Sequence, residues 1–383
     1  MKRILIISGI LLVLLALGFG VYFAWTKSKE ILNPPASPGT VPATENQNFG
    51  NQAATATSSG GGTSPGPNLK VLSKNPIFDY WVTGSSSAPQ VFYLGKDGKI
   101  MKAANGNDEV VVSDAVPDAQ SVKASSDGKY VILKFGDVGN PIFTLLNMNT
   151  KEKTLLTNVE AATFSPDGKK IAFLQKSATT ARVNLIIKTL SNMKSASQTI
   201  TSLRANDFDL SWISTNQILL LSKPSFEYEG ELWSVAVGTG NISLIGQGRG
   251  AMAAWSSDGE YGMFYSVSDD RAASMNLIKP DGSITANLDF ATFPSKCFLA
   301  PTMMYCALPQ FYNAVGNSTM PDDYLKRAAY SSDFIYSIDM NQNALTALFT
   351  GANQTIDATH LKLRGNTLFF VNRYDDKVYS LAL

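Results

Sequence analysis

The 383-residue chain reads as an all-β fold, a seven-bladed β-propeller, on three observations. A Ser-x-Asp-Gly turn recurs with apolar, β-rich runs on both sides; turn signals are spaced by about 40 to 50 residues. Charged residues make up only 16% of the chain, against roughly 25% in an average soluble domain, while Gly, Ser, Thr and Asn are abundant. Six or eight blades are the alternative counts.

The turns justify the blades one by one. Ser125-Ser126-Asp127-Gly128, Ser165-Pro166-Asp167-Gly168 and Ser256-Ser257-Asp258-Gly259 each give a hairpin in which the glycine takes positive φ without steric cost. Phe164 and Trp255 precede two of these turns, and Trp212 before Ser214-Thr215-Asn216 marks a degenerate copy. Turn signals fall near residues 87, 127, 167, 216, 258, 302 and 365, at intervals of about 40, 40, 49, 42, 44 and 63 residues. An insertion between about 309 and 333 accounts for the long last interval. The third period predicts strands over 159–164, 169–175, 182–190 and 197–202. The last period supplies only three, 357–363, 367–372 and 377–382, so residues 69–73 are expected to add the missing strand beside the final one.

Before this domain, expected over 69–383, the chain has a different character. Residues 4–25 carry no charge and are long enough as a helix to cross a hydrocarbon core of about 30 Å. A cleaved signal peptide is the competing reading, but its apolar stretch would be shorter and end in small residues, whereas this one ends in Tyr22, Phe23 and Trp25. Lys2 and Arg3 precede it, which favours residues 1–3 as a cytoplasmic tip and the carboxyl-terminal domain as extracytoplasmic. Residues 26–68 form the linker; from 33 onward they are almost wholly Pro, Ala, Ser, Gly, Thr, Asn and Gln, too apolar-poor to offset ordering entropy. A cytoplasm-facing domain is the third possibility, with both cysteines then reduced.

The segment Phe164-Ser165-Pro166-Asp167-Gly168-Lys169-Lys170-Ile171-Ala172-Phe173 resembles the repeat of TolB-type, WD-repeat-like propellers. The resemblance covers roughly residues 69 to 383 and implies the fold. It implies little about activity, because such blades occur in envelope scaffolds and in the propellers of prolyl-oligopeptidase-like peptidases, and no room remains for the hydrolase domain of the latter.

Cys297 and Cys306 flank Pro301-Thr302. If that pair is a two-residue hairpin loop, 297 faces 306 as a non-hydrogen-bonded pair, where Cβ atoms approach closely, so a cross-strand disulfide is expected; two small buried thiols are the alternative.

Several chemistries fail on context. With a net charge of +1 and no basic stripe, no nucleic-acid partner is expected. Gly62-Thr63-Ser64-Pro65-Gly66 matches a nucleophile elbow but lies in the linker, and Gly246-Gln247-Gly248-Arg249-Gly250-Ala251 precedes a strand rather than a helix. The single histidine, His360, falls within an inner strand, where a core or channel-lining role fits better than catalysis. Three Asp-Asp pairs suit solvated turns more than calcium, and Thr319-Met320-Pro321-Asp322 reads as a helix start with proline in its first turn. No cofactor, metal or catalytic residue is assigned.

What is left is a surface. Loops after the second strand of each blade gather aromatics, acids and arginine: Phe226 and Tyr228; Asp269, Asp270 and Arg271; Phe311, Tyr312 and Tyr324; Arg373 and Tyr374. The expected function is a membrane-tethered binding or scaffolding module of a cell envelope, held by one N-terminal helix and presenting this face, with the 309–333 insertion as recognition element, to a protein or glycan. The alternative is a propeller enzyme, a hydrolase or lyase of envelope glycans with carboxylates at the channel mouth.

Overall fold

A computed structural model describes residues 69–194, 196–204, 207–314, 318–342, 344–351 and 354–383. The expectations for residues 1–68, tip, membrane helix and linker, lie outside the described residues. Among the described residues no helix is long and apolar enough to cross a membrane.

The domain is almost all β. Strand β1 (Leu69–Val71) stands apart in sequence from four-stranded sheets that follow in order. The first holds β2 (Ile77–Gly84), β3 (Pro89–Gly95), β4 (Ile100–Lys102) and β5 (Glu109–Val112). The second holds β6 (Ala119–Ala124), β7 (Tyr130–Phe135), β8 (Ile142–Asn147) and β9 (Lys153–Leu156). The third holds β10 (Val159–Phe164), β11 (Lys170–Lys176), β12 (Val183–Thr189) and β13 (Gln198–Leu203), each within a residue of its expected bounds.

A seven-stranded sheet follows: β14 (Phe208–Ser214), β15 (Gln217–Ser222), β16 (Glu229–Ala236), β17 (Ile242–Trp255), β18 (Gly262–Val267), β19 (Ala273–Ile278) and β20 (Ile284–Asn287). Its middle strand is double duty: residues 242–249 of β17 pair with β16, and 249–255 pair with β18. The next sheet holds β21 (Cys297–Leu299), β22 (Met303–Ala314), β23 (Ala329–Asp339) and β24 (Ala344–Phe349). The last holds β25 (Ala358–Arg364), β26 (Thr367–Asn372) and β27 (Lys377–Ala382), with β1 pairing antiparallel to β27 through Leu69–Leu381, Lys70–Ser380 and Val71–Tyr379.

Neighbouring strands are antiparallel throughout, so the chain runs up and down. The turns after first strands therefore fall on one face, the turn face. The turns after second strands, with the connections between sheets, fall on the other, the loop face. All the expected turn positions lie between consecutive strands: the first two of a four-stranded sheet at 87, 127, 167 and 302, β14 and β15 at 216, β17 and β18 at 258, and β25 and β26 at 365.

Much of the apolar core lies between sheets, and one cluster, with Ile213, Leu219, Phe264 and Ile278, lies between the two halves of the seven-stranded sheet. Ile132, Phe143 and Leu145 of the second sheet pack against Val159, Phe164 and Phe173 of the third. Ile77, Tyr80 and Tyr93 of the first pack against Phe369, Val371 and Val378 of the last. Burial of this kind, at about 25 cal/mol per Å² of apolar surface, is the main force holding the sheets face to face.

The repeat turns also serve packing. In each, the serine hydroxyl donates to the aspartate two residues on, at 2.7 Å for Ser125–Asp127 and 2.6 Å for both Ser165–Asp167 and Ser256–Asp258. The same oxygen accepts the backbone N–H of Tyr130, Lys170 or Tyr261, closing the turn. Gly128, Gly168 and Gly259 stand at φ of 70°, 67° and 73°. A Cβ on Gly259 would lie 2.1 Å from the Ile213 carbonyl oxygen at the end of β14, and one on Gly168 2.9 Å from Ser126 Oγ in the preceding repeat turn, so the glycines also let an earlier turn region approach.

Candidate functional site

The expected surface divides in two. Tyr228 (77% exposed), Phe311 (56%) and Tyr374 (43%) present ring surface to solvent on the loop face, while Tyr312 is only half-exposed, its ring beside those of Phe293 and Tyr324 and its hydroxyl pushed up by burial. Asp269 is exposed and pairs with Arg249 at 3.2 Å, and Asp270 accepts from the Ser268 hydroxyl. Arg271, at φ 67°, lies 5.5 Å from the Phe226 ring. Phe226, Tyr324 and Arg373, by contrast, are buried, which corrects their reading as exposed anchors. They support the face from below.

The insertion explains this burial. Strands β22 and β23 extend as one hairpin from the Met303–Asp339 pair to the Ala314–Ala329 pair, and the tip beyond folds back over the domain. A short helix, Asp322–Leu325, lies there, with Pro321 as its N-cap rather than in its first turn. Asp323 accepts the Thr319 N–H at 2.6 Å, as an acid at a helix start should. Asp322 does something else: it accepts the Phe226 N–H at 2.7 Å, tying the tip to the loop between β15 and β16. On the far side Arg327 pairs with Asp376, in the turn after β26, at 2.6 Å.

Beneath the tip lies a fully buried ionic cluster that the sequence reading missed. Lys296 Nζ donates to Asp333 Oδ2 (2.5 Å), Asp357 Oδ1 (2.6 Å) and Ser331 Oγ (2.9 Å). Asp357 also accepts from the Tyr324 hydroxyl at 2.7 Å and from Arg373 Nη1 at 2.9 Å. The Arg373 guanidinium lies 3.7 Å from the centre of the Tyr324 ring and donates to the Tyr324 carbonyl at 2.6 Å. Burial pushes the Lys296 ammonium down, but the two carboxylates outweigh it and the group titrates above its ordinary range. Burial also lifts Asp333 above its usual value, whereas Asp357, burial opposed by Lys296 and Arg373, is held below it. The signal was present in the strand parity: Ser331 and Asp333 share the buried face of β23 with Ile335.

The domain axis carries the second feature. Strands β2, β6, β10 and β14 lie side by side, as do β17, β21 and β25. Strand β25 meets β2 where His360 Nδ1 lies 2.9 Å from Asp79 Oδ1 and the Tyr80 hydroxyl donates to the His360 carbonyl at 2.6 Å. His360 thus lines the channel, on a bulge with φ of 54°. Burial raises Asp79, but the imidazole and Lys362 outweigh it and hold the carboxyl below its ordinary range. Asp79 was missed; an acid inside Phe78-Asp79-Tyr80-Trp81 was the available signal.

Two axial cavities meet at Trp255 and Lys362. One, of about 330 Å³, holds Asp79 and His360. The other, of about 500 Å³, opens among the repeat turns and is lined by Trp81, Trp212, Trp255, Lys123, Lys362 and a group of hydroxyls. Lys362 donates to the Tyr80 carbonyl at 2.7 Å and lies 4.7 Å from the Tyr80 ring centre. Burial pushes its ammonium below the ordinary lysine value, Asp79 opposing. Among the described residues no group of three or more His, Cys, Asp or Glu is arranged to hold a metal.

The Cys297–Cys306 disulfide is formed, with the two Cα atoms 4.2 Å apart. The register is the one read from the spacing: Leu299 faces Met304, Phe298 faces Tyr305 and Cys297 faces Cys306, around Pro301-Thr302.

No family model matches the chain, and no curated protein matches it. Solved structures do. An oligogalacturonate lyase in complex with manganese superposes with a TM-score of 0.53 at 10% identity, over 82% of this chain and 90% of that one. A β-propeller domain from Myceliophteria thermophila gives 0.51 at 8% identity, over 82% and 99%. The tricorn protease gives 0.51 at 11% identity over 85% of this chain, which spans only 35% of that protein's length. At such identities the likeness shows architecture and nothing finer: the described residues form a β-propeller domain.

Proposed function

We propose that the chain is a membrane-tethered, extracytoplasmic propeller of seven blades that binds a protein or glycan partner of the cell envelope through its loop face. The blade count is supported by reading the seven-stranded sheet as two blades sharing β17, and ring closure by the β1–β27 pairing and the packing of the last sheet on the first. The TolB-type reading rests on the repeat motif, and the membrane and localisation readings rest on residues 1–25 and their flanking charges.

The observation that carries the binding reading is the fastened hairpin tip. A base of buried Phe226, Tyr324 and Arg373 sits under three exposed aromatics, Tyr228, Phe311 and Tyr374, the preorganised anchors an interface uses. The test is cross-linking in intact membranes with the wild type and with a Tyr228→Ser/Phe311→Ser/Tyr374→Ser variant. Discrete partners lost in the variant support the reading; the same partners retained overturn it. Protease added to intact cells should release a fragment containing residues 69–383 into the medium if the domain is extracytoplasmic, and leave the full-length chain cell-associated if it faces the cytoplasm.

The Asp79–His360 pair favours one second reading. A carboxylate-oriented imidazole beside Lys362 in an axial cavity is a candidate acid–base device, and a lyase is among the proteins that share the fold. Glycan-cleaving activity abolished by His360→Asn would establish it.

A further inference from the structure

The larger axial cavity, on the turn face, is unusual for what its wall offers. It contains two ammonium groups, Lys123 and Lys362, and no carboxylate. Lys123 donates to the Leu210 carbonyl at 3.0 Å and has a surface acid, Asp209, 3.5 Å away. Among the described residues Lys362 has only the Tyr80 carbonyl as hydrogen-bond acceptor, although an ammonium carries three donors. The indole N–H groups of Trp81, Trp212 and Trp255 are all buried without an acceptor. These N–H groups are closed to the cavity as well, so it is the rings of the three tryptophans that form its wall. The hydroxyls of Ser126, Ser211 and Ser257 line the same space.

The wall therefore carries positive charge and hydroxyls, no carboxylate, and aromatic rings. A volume of about 500 Å³ falls within the usual range for small-ligand pockets. We propose that this cavity binds a carboxylated saccharide, its carboxylate held by Lys362 and Lys123 and its hydroxyls by Ser126, Ser211 and Ser257, with the tryptophan rings as apolar wall. Charge selects an anion over a neutral sugar. The serine hydroxyls, which both donate and accept, suit a polyhydroxylated ligand better than an acidic peptide. The site lies on the face opposite the exposed aromatics and does not rest on the loop-face reading.

The test is calorimetric titration of residues 69–383, a compact unit by itself with its disulfide intact, in parallel with the full chain. The probes are a glucuronate-containing hyaluronan disaccharide, neutral diacetylchitobiose and the dipeptide Glu-Glu. The hyaluronan disaccharide is expected to bind and to quench tryptophan fluorescence, with diacetylchitobiose and Glu-Glu at least about tenfold weaker. Lys362→Met should weaken that binding by about tenfold, and Ser211→Ala/Ser257→Ala by about threefold. Lys123→Met gives a second reading of the charge should Lys362→Met fail to fold. Equal affinity for diacetylchitobiose, tighter binding of Glu-Glu, no saturable binding of any probe, or unchanged affinity in the folded lysine variants would each overturn the proposal.

Discussion

Lys296, in the 3-10 turn before β21, and Lys362, on β25, are both lysines held inside the same propeller, yet they are opposite objects. Lys296 is saturated: two carboxylates, a serine hydroxyl and a backbone carbonyl surround it, and its ammonium is stabilised despite complete burial. Lys362 has one carbonyl and the face of Tyr80, and burial pushes its charge down. The difference teaches where function is to be sought. A buried ion with every bond made is a fastening, and its chemistry is spent on structure; a buried ion with bonds left over is available to a ligand.

Substitution should separate the two most strongly. Lys296→Met strands Asp333 and Asp357 in the interior and is expected to cost about 3 to 5 kcal/mol in denaturant unfolding. Lys362→Met removes an incompletely paired charge, and its stability should stay within about 1 kcal/mol of wild type. Comparable losses in the two variants would break the contrast.

Removing the disulfide with Cys297→Ala/Cys306→Ala should cost about 2 to 3 kcal/mol, the loop-closure value for so short a ring. Because the bond ties the start of β21 to β22 beside Lys296, a loss well above this would mean that the cluster depends on it.

Acid titration sharpens the contrast within the cluster itself. The folded value of Asp357 is depressed, so its stabilising contribution is present above the unfolded carboxyl value of about 3.9 and is lost as pH falls through the folded value. Asp333 is raised, so whatever it contributes is present below about 3.9 and lost as pH rises through its folded value. Stability measured from pH 7 to pH 2 should therefore fall less steeply in Asp357→Asn than in wild type, and more steeply in Asp333→Asn.

The smallest expected effects lie in the repeat turns. Gly259→Ala drives a Cβ onto a backbone carbonyl, whereas Gly168→Ala meets a hydroxyl that can rotate. Both incur the positive-φ penalty of about 1 kcal/mol, and Gly259→Ala should exceed Gly168→Ala by a further 1 kcal/mol or so. Equal costs would mean that backbone conformation, not the approach of an earlier turn region, decides these positions.

How much of this was legible follows from range. The Asp-Gly turns, the strand bounds of the third sheet and the Cys297–Cys306 register are short-range properties, written within a few residues of themselves. Lys296, Asp333, Asp357 and Arg373 come from three separate stretches of chain and meet only because β23 and β25 are brought together, so no local pattern announces them. Tyr324 and Arg373 were read as exposed because their loops are polar; the fold-back of the insertion tip, a long-range event, buried them. The axial lysines and tryptophans sit on strands that looked like ordinary core, and only their convergence from separate sheets on one cavity sets them apart.

Strand β17 has a consequence for how the domain can move. Its 14 residues run unbroken through the middle of the seven-stranded sheet, pivoting near Gly250, so the two halves of that sheet share a continuous backbone ladder, whereas sheets elsewhere meet through packing and scattered bonds such as the one from the Ile77 N–H to the Asp376 carbonyl. Opening the middle of that sheet means breaking a strand ladder, while opening the other seams means parting apolar surfaces and a few such bonds. Slow breathing of the propeller, seen as amide hydrogen exchange, is therefore expected to start at the other seams, and the half of the domain that contains Phe226, Trp212 and Trp255 is expected to behave as a single stiff plate.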